Sequence, residues 1–451
     1  PGLSYTAVYI RKFFPRAKIV ALHYAREFEV TQKLWDQSFY YSPEGIPLSE
    51  QIFSYMGEEG VVSCLFLSWK PSEDAFPDES KHCWKEIRAA VVKSRNVLAT
   101  RSFFAKRWVK NAIRFSLFVN ESCYFQKGSA PIVVCASGRS LRGSLPFIQK
   151  HRSRFFLIAV SSALLPLVTQ GIIPDLCISC DGGYWAKRHI SFALRQHPEI
   201  PLALSPESAV FLSLLKETTV VPLGYGDGIS EAFIKEFNIS ATRAYRNGTV
   251  SGTALFLALS ITNGEIFFAG LDQESAQGKQ HAEPNALEKI NALSDFRLKP
   301  KETRTTSARF FSEQSLSIYR AWFSSQKNSE MKRVFRISAK KTFKHSLGSI
   351  KDIDMLTFLQ KTDGKTNSIF VTPSQKIEIK DRKKIISEEL CRVFLDNHFL
   401  SEAFPTDFLM IERETDEKRK AEKRAALEEK KVVLKKRLLF VAKNANETDT
   451  K

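Results

Sequence analysis

From Pro131 to Gln273 short apolar runs alternate with segments of helical periodicity, and this alternation restricts the fold more than any other feature of the chain. A strand, a covering helix and a second strand bring the chain back parallel to where it began. Repetition of that unit dictates a mostly parallel sheet with helices packed on it. The strand candidates are Pro131 to Cys135, Phe155 to Val160, Asp175 to Cys180, Pro201 to Leu204, Thr219 to Leu223 and Glu265 to Leu271. Nearly all their residues are apolar, the mark of strands buried on both faces. Helical segments are expected near Ser140 to Lys150, Ser162 to Gln170, Trp185 to Gln196, Glu207 to Lys216, Ile229 to Phe237 and Ser251 to Ser260. The expected fold class is α/β: a Rossmann-like, doubly wound, mostly parallel sheet in a central domain, flanked by a smaller α/β N-terminal region and a mainly helical C-terminal region.

A chain of 451 residues exceeds what one hydrophobic core usually supports, so several domains are expected. Residues 1–127 form the N-terminal region, with β-like runs at Ala17 to Leu22 and Val61 to Leu67 and a helix from Lys85 to Phe118. Residues 128–325 hold the central domain, closing with a polar connection beyond Gln273 and an apolar helix around Leu316 to Phe323. A mixed region at 326–411 follows, and 412–451 is a charged helix and tail. Glu412 to Arg437 alternates Lys, Arg and Glu, which reads as a solvated helix with charge pairs one turn apart, and Asn444 to Lys451 reads as disordered.

The formal net charge of +18 suits an anionic partner such as a nucleotide or an acidic sugar. Basic residues are not interleaved with aromatics in a recognisable motif, so a nucleic-acid role is not expected. No stretch approaches the roughly 18 uninterrupted apolar residues of a transmembrane segment. Seven cysteines, scattered and odd in number, suggest free thiols in a reducing compartment. The Cys177 to Cys180 pair falls in a strand, where residues three apart point to opposite faces, which speaks against a redox or zinc role. A soluble, cytoplasmic protein is expected, and a start at Pro1 without methionine suggests that an upstream segment has been removed.

Three turns could carry chemistry. In the first, a strand runs through Ala136-Ser137-Gly138-Arg139-Ser140-Leu141 into a helix. Gly138 would let the backbone approach a phosphate, Ser140 would cap the helix, free N–H groups at its start would face the anion, and Arg139 could meet its charge. In the second, a buried strand ends at Asp181-Gly182-Gly183, where a carboxylate can reach a ribose, a sugar hydroxyl or a metal ion. In the third, Asn247-Gly248-Thr249-Val250-Ser251-Gly252-Thr253 opens an apolar helix with three hydroxyls, and the strand beyond that helix ends at Asp272. Any one of these is also what an ordinary strand-to-helix turn or helix cap looks like. Their occurrence on one alternating sheet is the argument for a shared nucleotide site. His281 could take a proton from an acceptor hydroxyl if its pKa lies near neutrality, or be a surface histidine without a role. His189 and His197 read as structural or solvent-facing.

The segments Cys135 to Leu141, Ile158 to Leu164 with Pro174 to Asp181, and Asn247 to Leu257 with Gly270 to Gln273 resemble the domain shared by motility-associated factor (Maf) flagellin glycosyltransferases and archaeal 6-hydroxymethylpterin pyrophosphokinases (MptE-like, DUF115). The resemblance covers about Ser129 to His281 and extends loosely to Phe323. The family's Gly-x-Gly-Pro-Ser-Leu turn stands here as Ala136 to Leu141 without its first Gly and its Pro, and its Ser-x-Asp-Pro stands as Ser179-Cys180-Asp181-Gly182. The resemblance implies a sialyltransferase-like site. Its donor would be a CMP-activated nonulosonic acid and its acceptor Ser or Thr of flagellin. Donor binding would fall to Ser137, Gly138, Arg139, Ser140, Asp181, Asn247, Thr249, Ser251, Gly252, Thr253 and Asp272, with catalysis by His281 and Asp181. A divalent cation could assist, although no acidic set with metal spacing is visible. Two alternatives stand beside this reading: pyrophosphoryl transfer from ATP to a hydroxymethylpterin, and a non-catalytic flagellum-associated binding or assembly factor.

Overall fold

The computed structural model of the protein describes residues 4–25, 34–43, 47–246, 248–274, 281–326, 329–338, 343–377 and 381–444. The chain divides into two compact units, Pro1–Phe103 with Ser401–Glu429, and Phe104–Leu400 with Lys430–Lys451.

In the first unit β1 (Val20–His23) and β2 (Gln37–Tyr40) pair in parallel. Phe39, Leu48, Ile52, Val61, Cys83, Ile87 and Ala90 pack into its core. The run from Val61 to Leu67 is not a strand, contrary to expectation. Val61 lies in the last turn of the helix Leu48–Ser63, and the chain then runs on with Leu65 and Leu67 78% and 72% exposed. An apolar run becomes a strand only where a neighbouring ladder takes up its backbone groups, and none does so here. The long helix begins earlier than Lys85, at Pro77, and continues to Phe118.

The second unit is built on an eleven-stranded sheet. Its strands are β3 (Glu121–Gln126), β4 (Ile132–Cys135), β5 (Phe156–Val160), β6 (Leu176–Ser179), β7 (Leu202–Leu204), β8 (Val220–Gly224), β9 (Thr242–Arg243), β10 (Ile266–Ala269), β11 (Val334–Ser338), β12 (Lys351–Asp354) and β13 (Phe370–Lys376). They lie in the order β12-β11-β10-β4-β5-β6-β7-β8-β3-β13, with β9 beside β8. Every pairing is parallel except that of β13 with β3. All residues of β4, β5, β6, β7, β8 and β10 are buried, as strands covered on both faces must be. Each fully buried Ile, Leu, Val or Phe among them contributes roughly 1.5–3 kcal/mol over leaving it in water. The sheet draws on residues outside 128–325 on both sides, since β3 precedes that span and β11, β12 and β13 follow it.

The chain winds from β4 through β8 in one direction and then returns to place β10 on the other side of β4. That reversal lies at the carboxyl ends of β4 and β10, the position where open α/β sheets bind ligands. Ala269, Cys135 and Ala159 sit level across β10, β4 and β5, so these strands discharge their loops on one rim, joined by β6.

Several helices differ from expectation. Between β7 and β8 only Leu212–Glu217 is helical, not Glu207 to Lys216. Pro206 and a turn closed by Ser208 N–H on Ser205 O precede it, and Glu207 is held in an ion pair. The segment after β5 is a short 3-10 turn, Ser161–Ala163, followed by Leu164–Val168. The apolar helix at Leu316 to Phe323 is the last part of a longer one, Lys301–Ser325. The charged C-terminal helix runs over Glu417–Asn444 and is not solvated all round, because Leu427, Leu434, Leu438 and Ala442 are buried along one stripe. The tail expected to be disordered falls, from 445 on, outside the described residues.

Candidate functional site at the switch-point rim

The turn after β4 is stitched to the loop after β10. Ala136 N–H donates to Ala269 O at 2.8 Å and Gly138 N–H to Gly270 O at 2.8 Å. A side chain at 138 would stand 2.5 Å from both Gly270 O and the Asp272 carboxyl carbon, so only glycine fits. Asp272, 3% exposed, accepts the Ser140 N–H at 2.9 Å on one oxygen and the Ser140 hydroxyl on the other. The expectation of free amides and a Ser140 cap at this turn is therefore corrected. Ser140 holds the first position before the helix Leu141–Lys150 without capping it; the Asp272 carboxylate takes both Ser140 donors, and the amides of Gly138, Leu141, Arg142 and Gly143 bond to backbone carbonyls. Arg139 is exposed beside them.

Next along the rim, the Ser162 hydroxyl donates to Ser137 Oγ at 2.8 Å, and Ser137 Oγ lies 2.7 Å from His281 Nδ1. Ala282 N–H donates to Ser137 O at 2.6 Å and fixes the histidine's loop against the turn. The rings of His281 and His189 meet edge to face, 5.6 Å between centroids. Burial, and then the neighbouring His189, push the His281 pKa down from 6.5 to about 4, so the imidazole is neutral at physiological pH. Burial likewise lowers His189, with the Asp181 carboxylate opposing it.

Beyond β6, Asp181 is exposed, and one of its oxygens accepts Gly183 N–H at 2.8 Å at the start of the helix Tyr184–Gln196. At the third turn Thr249 Oγ1 caps the helix Val250–Ile261 by accepting Ser251 N–H at 3.3 Å. The N–H groups of Gly252 and Thr253 turn back onto Thr249 O at 3.0 and 3.3 Å. Thr253, 1% exposed, reaches Tyr245 O at 3.5 Å and bonds the Cys180 thiol, which burial nevertheless holds up at about 12. Gly248 packs under the Tyr319 ring, whose phenol is raised by burial and then by Asp181. Asn247 lies outside the described residues, as does the Gly278 to Gln280 part of the histidine's loop.

Ser140, Asp272 and Gly138 thus touch one another, Ser137 touches His281 and His281 touches His189, while Thr253 touches the residue that precedes Asp181. Contributors without a signal in the sequence complete the rim. Buried Glu207 accepts both terminal nitrogens of Arg246, one at 2.8 Å, and a hydrogen bond from Ser230 at 3.0 Å. Arg246 also reaches Asp227 at 2.8 Å and lies over the Tyr225 ring, 4.5 Å from its centroid. Glu207 and Arg246 are 39 residues apart, beyond any local pattern. Ser162 and His189 carried only the marks of a helix start and a helix interior. No group of three or more His, Cys, Asp or Glu suited to a metal occurs among the described residues.

Residues 106–277 match the family model described as 6-hydroxymethylpterin diphosphokinase MptE-like. An uncharacterized protein of Treponema pallidum (strain Nichols) is 30% identical over 291 residues, a match spanning 64% of this chain and 63% of that protein, so less than two thirds of the relative's length. The structure of MAf glycosyltransferase from Magnetospirillum magneticum AMB-1 aligns over 92% of this chain and 71% of its own, with 12% identity and a TM-score of 0.46, too distant to bear on activity.

Proposed function

We propose, from the premise that segment 106–277 is an MptE-like domain, that this protein is a Maf-like glycosyltransferase. On this reading it passes a nonulosonic sugar from a CMP-activated donor to Ser or Thr of flagellin, in the cytoplasm. One observation supports the reading above the others: four neighbouring parallel strands, β10, β4, β5 and β6, end at a single rim that gathers Asp272, Ser137, Ser162 and Asp181, with His281 against Ser137. Because the Ser140 amide is engaged by Asp272 and the Gly138 amide by Gly270 O, the donor phosphate would be met by Arg139 and by hydroxyls. Asn247, Thr249, Ser251, Gly252 and Thr253 would contribute from the third turn, and Asp181 would hold a sugar or ribose hydroxyl. The sugar would pass to the acceptor oxygen and CMP would depart with its electron pair, neutral His281 taking up the proton released. A divalent cation could neutralise the leaving phosphate. Isothermal titration of the purified chain with CMP and a CMP-sugar is the test. Micromolar binding, weakened at least tenfold by Asp181→Ala in a protein of unchanged circular dichroism, is expected; no heat from either ligand removes the proposal.

The match of residues 106–277 to a family described by a pterin diphosphokinase favours a second reading, pyrophosphoryl transfer from ATP to a hydroxymethylpterin. Magnesium-dependent AMP release on adding that pterin would select it.

A further inference from the structure

The contact between Ser137 and His281 has a chemistry of its own. Ser137 stands where β4 gives way to its helix, at the reversal point of the sheet, and its Oγ is 2.7 Å from His281 Nδ1. The Ser162 hydroxyl donates to the same Oγ at 2.8 Å. In the tautomer that carries its proton on Nε2, His281 accepts the Ser137 proton at Nδ1, and the Ser162 bond occupies one lone pair of Ser137. One lone pair of Ser137 remains for a third partner. The histidine's place is fixed from two sides: Ala282 N–H is bonded to Ser137 O at 2.6 Å, and the His189 ring abuts it edge to face. A hydroxyl at hydrogen-bond distance from an oriented neutral imidazole has the relation of nucleophile to base.

We propose that Ser137 is a nucleophile activated by His281, and that the group transferred at this rim passes through a covalent bond to Ser137 Oγ. The proposal rests on the rim being a site of group transfer. In the first step a bond forms from Ser137 Oγ to the electrophilic atom of the donor, the bond from that atom to the nucleotide phosphate breaks, and the nucleotide leaves with the electron pair. The Ser137 proton goes to His281 Nδ1. In the second step an acceptor hydroxyl attacks the same atom, Ser137 Oγ departs and recovers its proton from His281 Nδ1, and the acceptor's proton passes to solvent. Two displacements at one centre retain its configuration. The low basicity of His281 in the free protein keeps it unprotonated and ready to accept. The negative charge of a phosphate entering beside it strengthens it as a base when the transfer occurs. Ser162 orients the Ser137 hydroxyl and supports its oxygen as the proton leaves.

A test that needs no knowledge of the natural donor uses diisopropyl fluorophosphate, with peptide mass mapping. Attack by Ser137 forms an O–P bond, expels fluoride and leaves one diisopropylphosphoryl group on the peptide containing residue 137. That adduct is expected in the wild-type protein, absent in Ser137→Ala, and formed at least tenfold more slowly in His281→Gln. A second variant guards against a probe that fits poorly. The thiol introduced by Ser137→Cys should be alkylated by iodoacetamide at pH 6 at least tenfold faster than the same thiol in a Ser137→Cys, His281→Gln protein. Absence of the phosphoryl adduct together with a histidine-independent alkylation rate overturns the proposal, as does an adduct that persists in Ser137→Ala. Calorimetric binding of CMP or ATP is indifferent to these outcomes, so the nucleotide reading and the covalent route can fail separately.

Discussion

At the scale of single residues the rim is held by a few buried polar contacts, each with a measurable consequence. Asp272 accepts two hydrogen bonds from Ser140 in a site shielded from water. Asp272→Asn keeps the shape but replaces one acceptor by a donor facing another donor, which should cost about 1–3 kcal/mol in urea unfolding; a change under about 0.5 kcal/mol would mean that the contact is incidental. His281 links folding to pH. Its pKa is near 6.5 in the unfolded chain and about 4 in the folded one, so its contribution is complete above about pH 6.5. As the pH falls toward 4 the unfolded chain takes up a proton that the folded chain refuses, and stability drops, by about 2 kcal/mol after allowance for the ring's partial exposure. The difference in urea midpoint between pH 7 and pH 4.5 should therefore shrink in His281→Gln. Gly138, Ser140 and Asp272 were each legible in the sequence as members of strand-to-helix turns or strand ends. That Asp272 serves Ser140 was not legible, since 132 residues separate them and local patterns carry no partner information.

At the scale of elements, the buried parallel strands were the easiest to read. β4, β5, β6, β7, β8 and β10 each begin or end within two residues of the apolar runs that announce them, because burial on both faces leaves few polar residues to blur the signal. Reading failed where tertiary contacts overrule local composition. Glu207 lies outside its expected helix because Arg246 holds it, and Val61 to Leu67 forms no strand because no ladder receives it. The C-terminal helix Glu417–Asn444 is the other case: its abundant charges hid a buried stripe that repeats every seven or four residues. Placing a charge in that stripe, as in Leu438→Asp, should cost about 3 kcal/mol or more, because the carboxylate must be desolvated or protonated. The same change at exposed Val433 should stay within about 0.5 kcal/mol. Equal effects at the two positions, by thermal or urea unfolding, would contradict the buried stripe.

For the molecule as a whole, an excess of 18 positive charges gives anionic ligands a long-range attraction that salt can screen. The affinity for CMP or ATP should fall about three- to tenfold between roughly 50 and 500 mM salt, and a salt-independent affinity would place recognition in uncharged contacts alone. The breadth of the sheet raises a separate matter. One margin, β12, is Lys351-Asp352-Ile353-Asp354, with Lys351 exposed, Asp352 ion-paired to Arg336 and Asp354 capping the next helix, and the other, β13, carries Pro373 and a break in register beside it. A proline offers no amide to a newcomer, and a fringe of charges repels a like fringe. So broad a hydrogen-bonded layer could otherwise recruit further chains edge to edge; terminated in this way at both flanks, it is guarded against fibrous growth.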